Sequence, residues 1–120
     1  MVADGDRRVR DLVETVLETL GYRVDTVASG AAAYLRTIVR PPDLLVIDLD
    51  LGGDVLIRLF RYERPCARII AVSKWGRVMD CAARALGADA FLAKPFGGDE
   101  LERVISSVWA KVSMEPESAL

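Results

Sequence analysis

Four polar residues end apolar runs in this chain. Asp4 follows Met1-Val2-Ala3, Asp48 follows Leu44-Leu45-Val46-Ile47, Ser73 follows Ile69-Ile70-Ala71-Val72, and Lys94 follows Ala90 to Ala93. Together they supply two carboxylates, a hydroxyl and an ammonium. Two carboxylates held close repel each other and stay ionised more easily with a cation between them. A hard oxygen site of carboxylates, carbonyls and water suits Mg2+. A carboxylate beside such an ion can attack phosphorus and form an acyl phosphate. That reaction is mostly positioning and charge neutralisation. In this chemistry Asp48 is the nucleophile, because it ends the run read as the central strand. Ser73 donates to a phosphoryl oxygen, and Lys94 supplies a point charge.

Composition narrows the alternatives. A chain of 120 residues with 52% hydrophobic content suits one domain with a real core. There is no histidine, which excludes Ser-His-Asp and Cys-His catalysis and His-ligated zinc. Two cysteines cannot make a four-thiolate metal site. Cys66 and Cys81 read as core-adjacent free thiols, which fits a reducing compartment. The net charge of −2 provides no global field toward nucleic acid or an anionic membrane. No apolar run reaches the roughly 18–20 residues of a membrane span, and Asp4 interrupts the start before a signal peptide can form. The expected location is the cytoplasm. Residues 1–113 read as the domain and 114–120 as a flexible C-terminal tail.

The elements that would position these groups follow from periodicity. Val9, Leu12, Val13, Val16, Leu17 and Leu20 fall at helical spacing, with Asp6 as N-cap and Gly21 just past the end. Tyr22 to Val27 has strand composition. Ser29 caps a helix over 31–39, which Pro41 and Pro42 stop. The runs ending at Asp48, Ser73 and Ala93 are continuously apolar, as strands buried on both faces are. Helices are expected over 54–62 and 77–86, and Leu101, Val104, Ile105, Val108, Trp109 and Val112 form the stripe of a last helix. Strand and helix thus alternate five times. This predicts an α/β, flavodoxin-like (βα)5 three-layer sandwich with parallel strand order 2-1-3-4-5. In such sheets ligands bind beyond the carboxyl ends of the strands, where Asp4, Asp48, Ser73 and Lys94 all fall.

Over nearly its whole length the chain resembles the response-regulator receiver domains of two-component signalling. The stretches that carry the resemblance are Val2-Ala3-Asp4, Pro42 to Asp48, Ile70-Ala71-Val72-Ser73, Ala85-Leu86-Gly87-Ala88-Asp89 and Lys94-Pro95-Phe96. The resemblance implies that Asp48 accepts a phosphoryl group from the phosphohistidine of a sensor kinase or phosphotransfer protein. It makes Ser73 the switch hydroxyl, Lys94 the active-site lysine and Phe91 the switch aromatic that moves inward. It implies a cis Lys94–Pro95 peptide and an output surface from about Arg77 to Val112. That surface would meet a downstream protein target; a homodimer through the same face stays open. No direct nucleic-acid or membrane contact is expected.

The departures from the family pattern bear on Mg2+. The family carries two adjacent acids after the first strand, whereas this chain has Asp4-Gly5-Asp6, with Gly5 in the place of a direct metal ligand. The metal set expected from the resemblance is therefore Asp4, Asp6, Asp48 and Asp50. Asp50 stands two past the acceptor, where the family provides a backbone carbonyl. Trp75, two past Ser73, is placed to cover the site partly.

Each residue also has a plainer reading. Asp6 can be only a helix cap, Ser73 a turn hydroxyl, Phe91 a packed strand aromatic, and Arg58, Arg61, Arg64 and Arg68 a solvated helix face. Gly97 to Leu101 resembles a diguanylate cyclase signature, but too little chain remains for that domain, and Asp99 caps the last helix. Asp48-Leu49-Asp50 resembles the haloacid-dehalogenase motif, but it ends the third strand rather than the first. The leading reading is a phosphoacceptor domain, not a free-standing enzyme. A degenerate receiver acting as a phosphorylation-independent binding module and a small Asp-nucleophile phosphohydrolase are the alternatives.

Overall fold

The computed structural model describes residues 1–114, with side chains through residue 110. The five apolar runs form one parallel sheet: β1 (Val2–Ala3), β2 (Thr26–Val27), β3 (Leu44–Asp48), β4 (Arg68–Ser73) and β5 (Ala90–Ala93), in the order β2-β1-β3-β4-β5. Between and after them run α1 (Arg7–Thr19), α2 (Gly30–Val39), α3 (Gly53–Glu63), α4 (Asp80–Leu86) and α5 (Gly98–Met114). The expected fold class and strand order are observed. All but the first residue of the expected tail lies outside the described residues.

The sheet is covered on both faces, which is why its strands alternate nothing in sequence. Leu45, Ile47, Ile69, Ala71 and Phe91 share one buried cluster with Ala33, Leu56, Ile57, Phe60 and Ala83 from α2, α3 and α4. Val2, Val46, Ile70, Val72 and Leu92 share the other with Val13, Leu17, Leu101, Ile105 and Val108 from α1 and α5. Every residue of β3 and β4 is buried. Burying each Leu, Ile or Val stabilises the fold by roughly 1.5–3 kcal/mol, so the central strands are rigid supports for what their ends carry.

Local chemistry sets the helix starts. Asp6 caps α1, its Oδ1 accepting from Arg8 N at 2.9 Å, and Ser29 caps α2 by accepting from Ala32 N at 3.1 Å. Gly21 lies just beyond α1 with φ 97°, a conformation that L side chains resist.

Some expectations shift. The second strand is Thr26–Val27 rather than 22–27, because its parallel partner β1 offers only two residues to pair with. The helix expected over 77–86 divides into a 3-10 turn at Arg77–Met79 and α4. Cys81 lies exposed in the first turn of α4 and Ala83 is the residue buried there; both cysteines are exposed free thiols rather than core-adjacent.

The basic cluster is not one solvated face. Arg61 reaches across to the loop before β5. It donates to Gly87 O at 2.7 and 3.1 Å, to Pro65 O at 2.9 Å, to Ala67 O at 2.7 Å and to Asp89 Oδ2 at 2.7 Å. Asp89 Oδ2 also accepts from Ile69 N at 2.8 Å. Arg68 is 7% exposed, with its guanidinium carbon 6.0 Å from the centre of the Trp109 ring.

Candidate functional site

Strand register brings the polar ends together. Asp48 pairs with Val72 one residue before Ser73, and Ser73 pairs with Ala93 one residue before Lys94. On the other side Ala3 pairs with Ile47, so Asp4 leaves β1 beside Asp48. Lys94 Nζ then reaches over the rim. It lies 2.9 Å from Asp4 Oδ2, 3.0 Å from Asp4 Oδ1 and 3.0 Å from Asp48 Oδ2. Asp4 is 2% and Asp48 6% exposed, so this is a buried ion triad rather than a surface pair.

Each carboxylate is also fixed from its own loop. Asp4 Oδ1 accepts from Asp6 N at 2.8 Å, and Asp48 Oδ1 accepts from Asp50 N at 2.9 Å. Gly53 lets the turn after Asp48 close tightly, since a Cβ there would stand 2.9 Å from Asp48 O. The Lys94–Pro95 peptide is cis, as the resemblance implied.

The electrostatics are uneven. Burial raises the Asp4 pKa above the ordinary carboxylate value; the neighbouring Asp48 charge adds to this, while hydrogen bonds from Lys94 and Asp6 N oppose it. Burial acts against the Lys94 ammonium, but its bonds to Asp4 and Asp48 outweigh that and raise its pKa. Lys94 is therefore a firmly protonated cation held between two acids.

Ser73 is fully buried, and its Oγ accepts from Trp75 N at 3.0 Å, leaving the hydroxyl proton to donate elsewhere. Phe91 is 5% exposed and lies in the core cluster that includes Ala83 and Ala88. The turn reading of Ser73 and the packed reading of Phe91 thus describe their present contacts.

The four expected metal ligands do not converge. The Asp6 carboxylate is spent on the cap of α1. The Asp50 carboxylate turns to the neighbouring loop, accepting from Trp75 Nε1 at 3.2 Å and lying 3.7 Å from Lys74 Nζ. Among the described residues no three His, Cys, Asp or Glu side chains gather as metal ligands. Two carboxylates already bridged by an ammonium fit a resident Mg2+ poorly, because oxygen-rich sites for that ion depend on carboxylate charge.

Two features escaped the sequence. Arg10 Nη1 donates to Asp4 O at 2.8 Å, pinning the backbone of the first acid to α1; nothing in its spacing separates it from Arg7 or Arg8. Lys74, Trp75 and Asp50 tie the loop after β4 to the loop after β3. The position of Trp75 signalled proximity to the site, but not this partner.

Residues 1–106 match the family described as response regulator receiver domain. The chain belongs to that family. Receiver domains are the phosphoacceptor modules of two-component signalling. The DNA-binding dual master transcriptional regulator RpaA of Synechocystis is 29% identical over 99% of this chain and 52% of its own. The transcriptional regulatory protein CutR of Streptomyces coelicolor is 31% identical over 95% of this chain and 54% of its own. The crystal structure of the receiver domain of NtrX from Brucella abortus superposes with a TM-score of 0.80 at 26% identity, covering 89% of this chain and 94% of that one. The chain spans about half the length of the curated relatives it matches. No described helix is long and apolar enough to cross a membrane.

Proposed function

We propose that Asp48 is the residue this receiver phosphorylates, with Lys94 and Ser73 completing the site. The observation that carries the reading is the Lys94 ammonium shared between Asp4 and Asp48 at the C-terminal rim of the sheet. An Asp48 carboxylate oxygen attacks the phosphorus of a phosphohistidine on a sensor kinase or phosphotransfer protein. The O–P bond forms as the P–N bond breaks, and the electron pair leaves with the imidazole nitrogen. Lys94 offsets the charge gathering on the phosphoryl oxygens. Ser73 turns its free proton toward one of them, and Phe91, packed in the neighbouring core cluster, is the switch aromatic that relays the change. The state is then read on the face made by α4, β5 and α5, where a downstream protein or a second copy docks.

The domain accepts and loses a phosphoryl group but does not turn over a free substrate. Receiver domains generally use Mg2+; in this chain Asp4, Asp48 and the backbone carbonyl of Asp50 are what remain to meet one. We place the protein in the cytoplasm, with residues 1–113 as its working unit. Contact with DNA, which the name of RpaA attributes to that protein, we assign to the part of its length that this chain does not span.

The test is incubation with acetyl phosphate and Mg2+, read by intact mass. The wild type acquires one phosphoryl adduct, and Asp48→Asn does not. An adduct that persists in Asp48→Asn, or sustained hydrolysis of phosphate monoesters, overturns the reading.

A further inference from the structure

Glycines at tight places in this fold have steric reasons. A Cβ on Gly53 would stand 2.9 Å from Asp48 O, and one on Gly30 would collide with Leu51 O. Gly5 has no such reason. A Cβ there would meet only Leu51 Cδ2 at 3.7 Å and Ala28 O at 4.0 Å, both ordinary contacts, and its φ is not positive. The position is exposed and the backbone accepts a side chain. What the glycine lacks is any side-chain ligand at the position between Asp4 and Asp6.

The neighbours do not replace it. Asp6 caps α1 through Arg8 N, and Asp50 is engaged by Trp75 and Lys74. Moving either inward costs an existing bond and adds a third negative charge to a buried pair. The two acids that remain already share one ammonium at 2.9–3.0 Å. A divalent ion entering the same gap would be set against Lys94 with only two carboxylates to hold it.

From this juxtaposition we infer that the unphosphorylated pocket carries no resident divalent ion, that Lys94 is its counter-cation, and that a carboxylate in place of Gly5 would tip the balance toward metal. The inference concerns the site proposed above and rests on that reading, but it is tested separately from phosphorylation. Calorimetric titration with MgCl2, and with MnCl2 as a tighter probe, is run on the full chain and on Gly5→Asp. Gly5→Asp is expected to bind at least about tenfold more tightly, a difference of roughly 1.4 kcal/mol. Melting curves with and without Mg2+ provide a second readout, in which only Gly5→Asp is stabilised by the ion.

A wild type that binds within threefold of Gly5→Asp overturns the inference. So does wild-type binding that is lost in Asp6→Asn or Asp50→Asn, which would identify a replacement ligand. A folded Gly5→Asp that binds no better than the wild type overturns it as well. The acetyl phosphate adduct of the wild type and its loss in Asp48→Asn report on the phosphoacceptor reading whichever way the titrations fall.

Discussion

Replacing Lys94 with methionine isolates the charge at the centre of the site. Methionine keeps an unbranched chain of similar size, so packing changes little. Lys94 Nζ lies 3.0 Å from Asp48 Oδ2 and 2.9 Å from Asp4 Oδ2. The two oxygens are therefore at most about 6 Å apart, and their repulsion at an effective dielectric of about 20 is roughly 3 kcal/mol. With the ammonium gone, nothing in the triad offsets it. Lys94→Met should lose about 2–3 kcal/mol of unfolding free energy at pH 7.5, read by urea denaturation.

Asp4, already raised by burial and in the variant without its Lys94 hydrogen bond, holds a proton more tightly in the folded variant than in the unfolded chain. The deficit is thus full at neutral pH and shrinks as the pH falls through the raised value toward the ordinary carboxylate range. At pH 5 the loss should be visibly smaller, and the double variant Lys94→Met/Asp4→Asn should recover most of it at pH 7.5. An equal deficit at both pH values, or a double variant no better than the single one, would refute the electrostatic reasoning.

Two further outcomes follow from the same geometry. Asp4 is raised by burial, so its ionised form is a burden at neutral pH; Asp4→Asn should raise Tm at pH 7, with a gain that diminishes as the wild-type carboxyl protonates on acidification. Arg61 joins three backbone carbonyls and Asp89. Arg61→Ala should cost about 3 kcal/mol in denaturant unfolding by removing the donor to the Pro65, Ala67 and Gly87 carbonyls and one of the partners of Asp89. Arg61→Lys should recover little of it, because one ammonium cannot serve a forked set of acceptors.

The alternation of apolar runs and helical stripes makes the fold legible in the sequence. Buried parallel strands declare themselves as unbroken runs such as Leu44 to Ile47, and caps such as Asp6 and Ser29 mark where helices must begin. Because strands in such a sheet all point one way, their terminal residues must share an edge, so the meeting of Asp4, Asp48, Ser73 and Lys94 was already implied. What a run could not show was its length as a paired strand: β2 stops at two residues because β1 does.

Side-chain partnership was decided only in three dimensions. Asp6 and Asp50 carry the same carboxyl as Asp4 and Asp48 and lie as near in sequence to the site. Yet one is held by a helix end and the other by Trp75 and Lys74. Arg61 and Arg68 read as a solvated face, because i, i+3 and i+4 spacing describes one helix and knows nothing of the loop before β5 or the ring of Trp109. Pattern along the chain specifies that these runs pair as strands, since every buried strand must satisfy its own hydrogen bonds. Which of several identical carboxylates faces a given ammonium depends on competing partners from distant segments, and those exist only once the chain has folded.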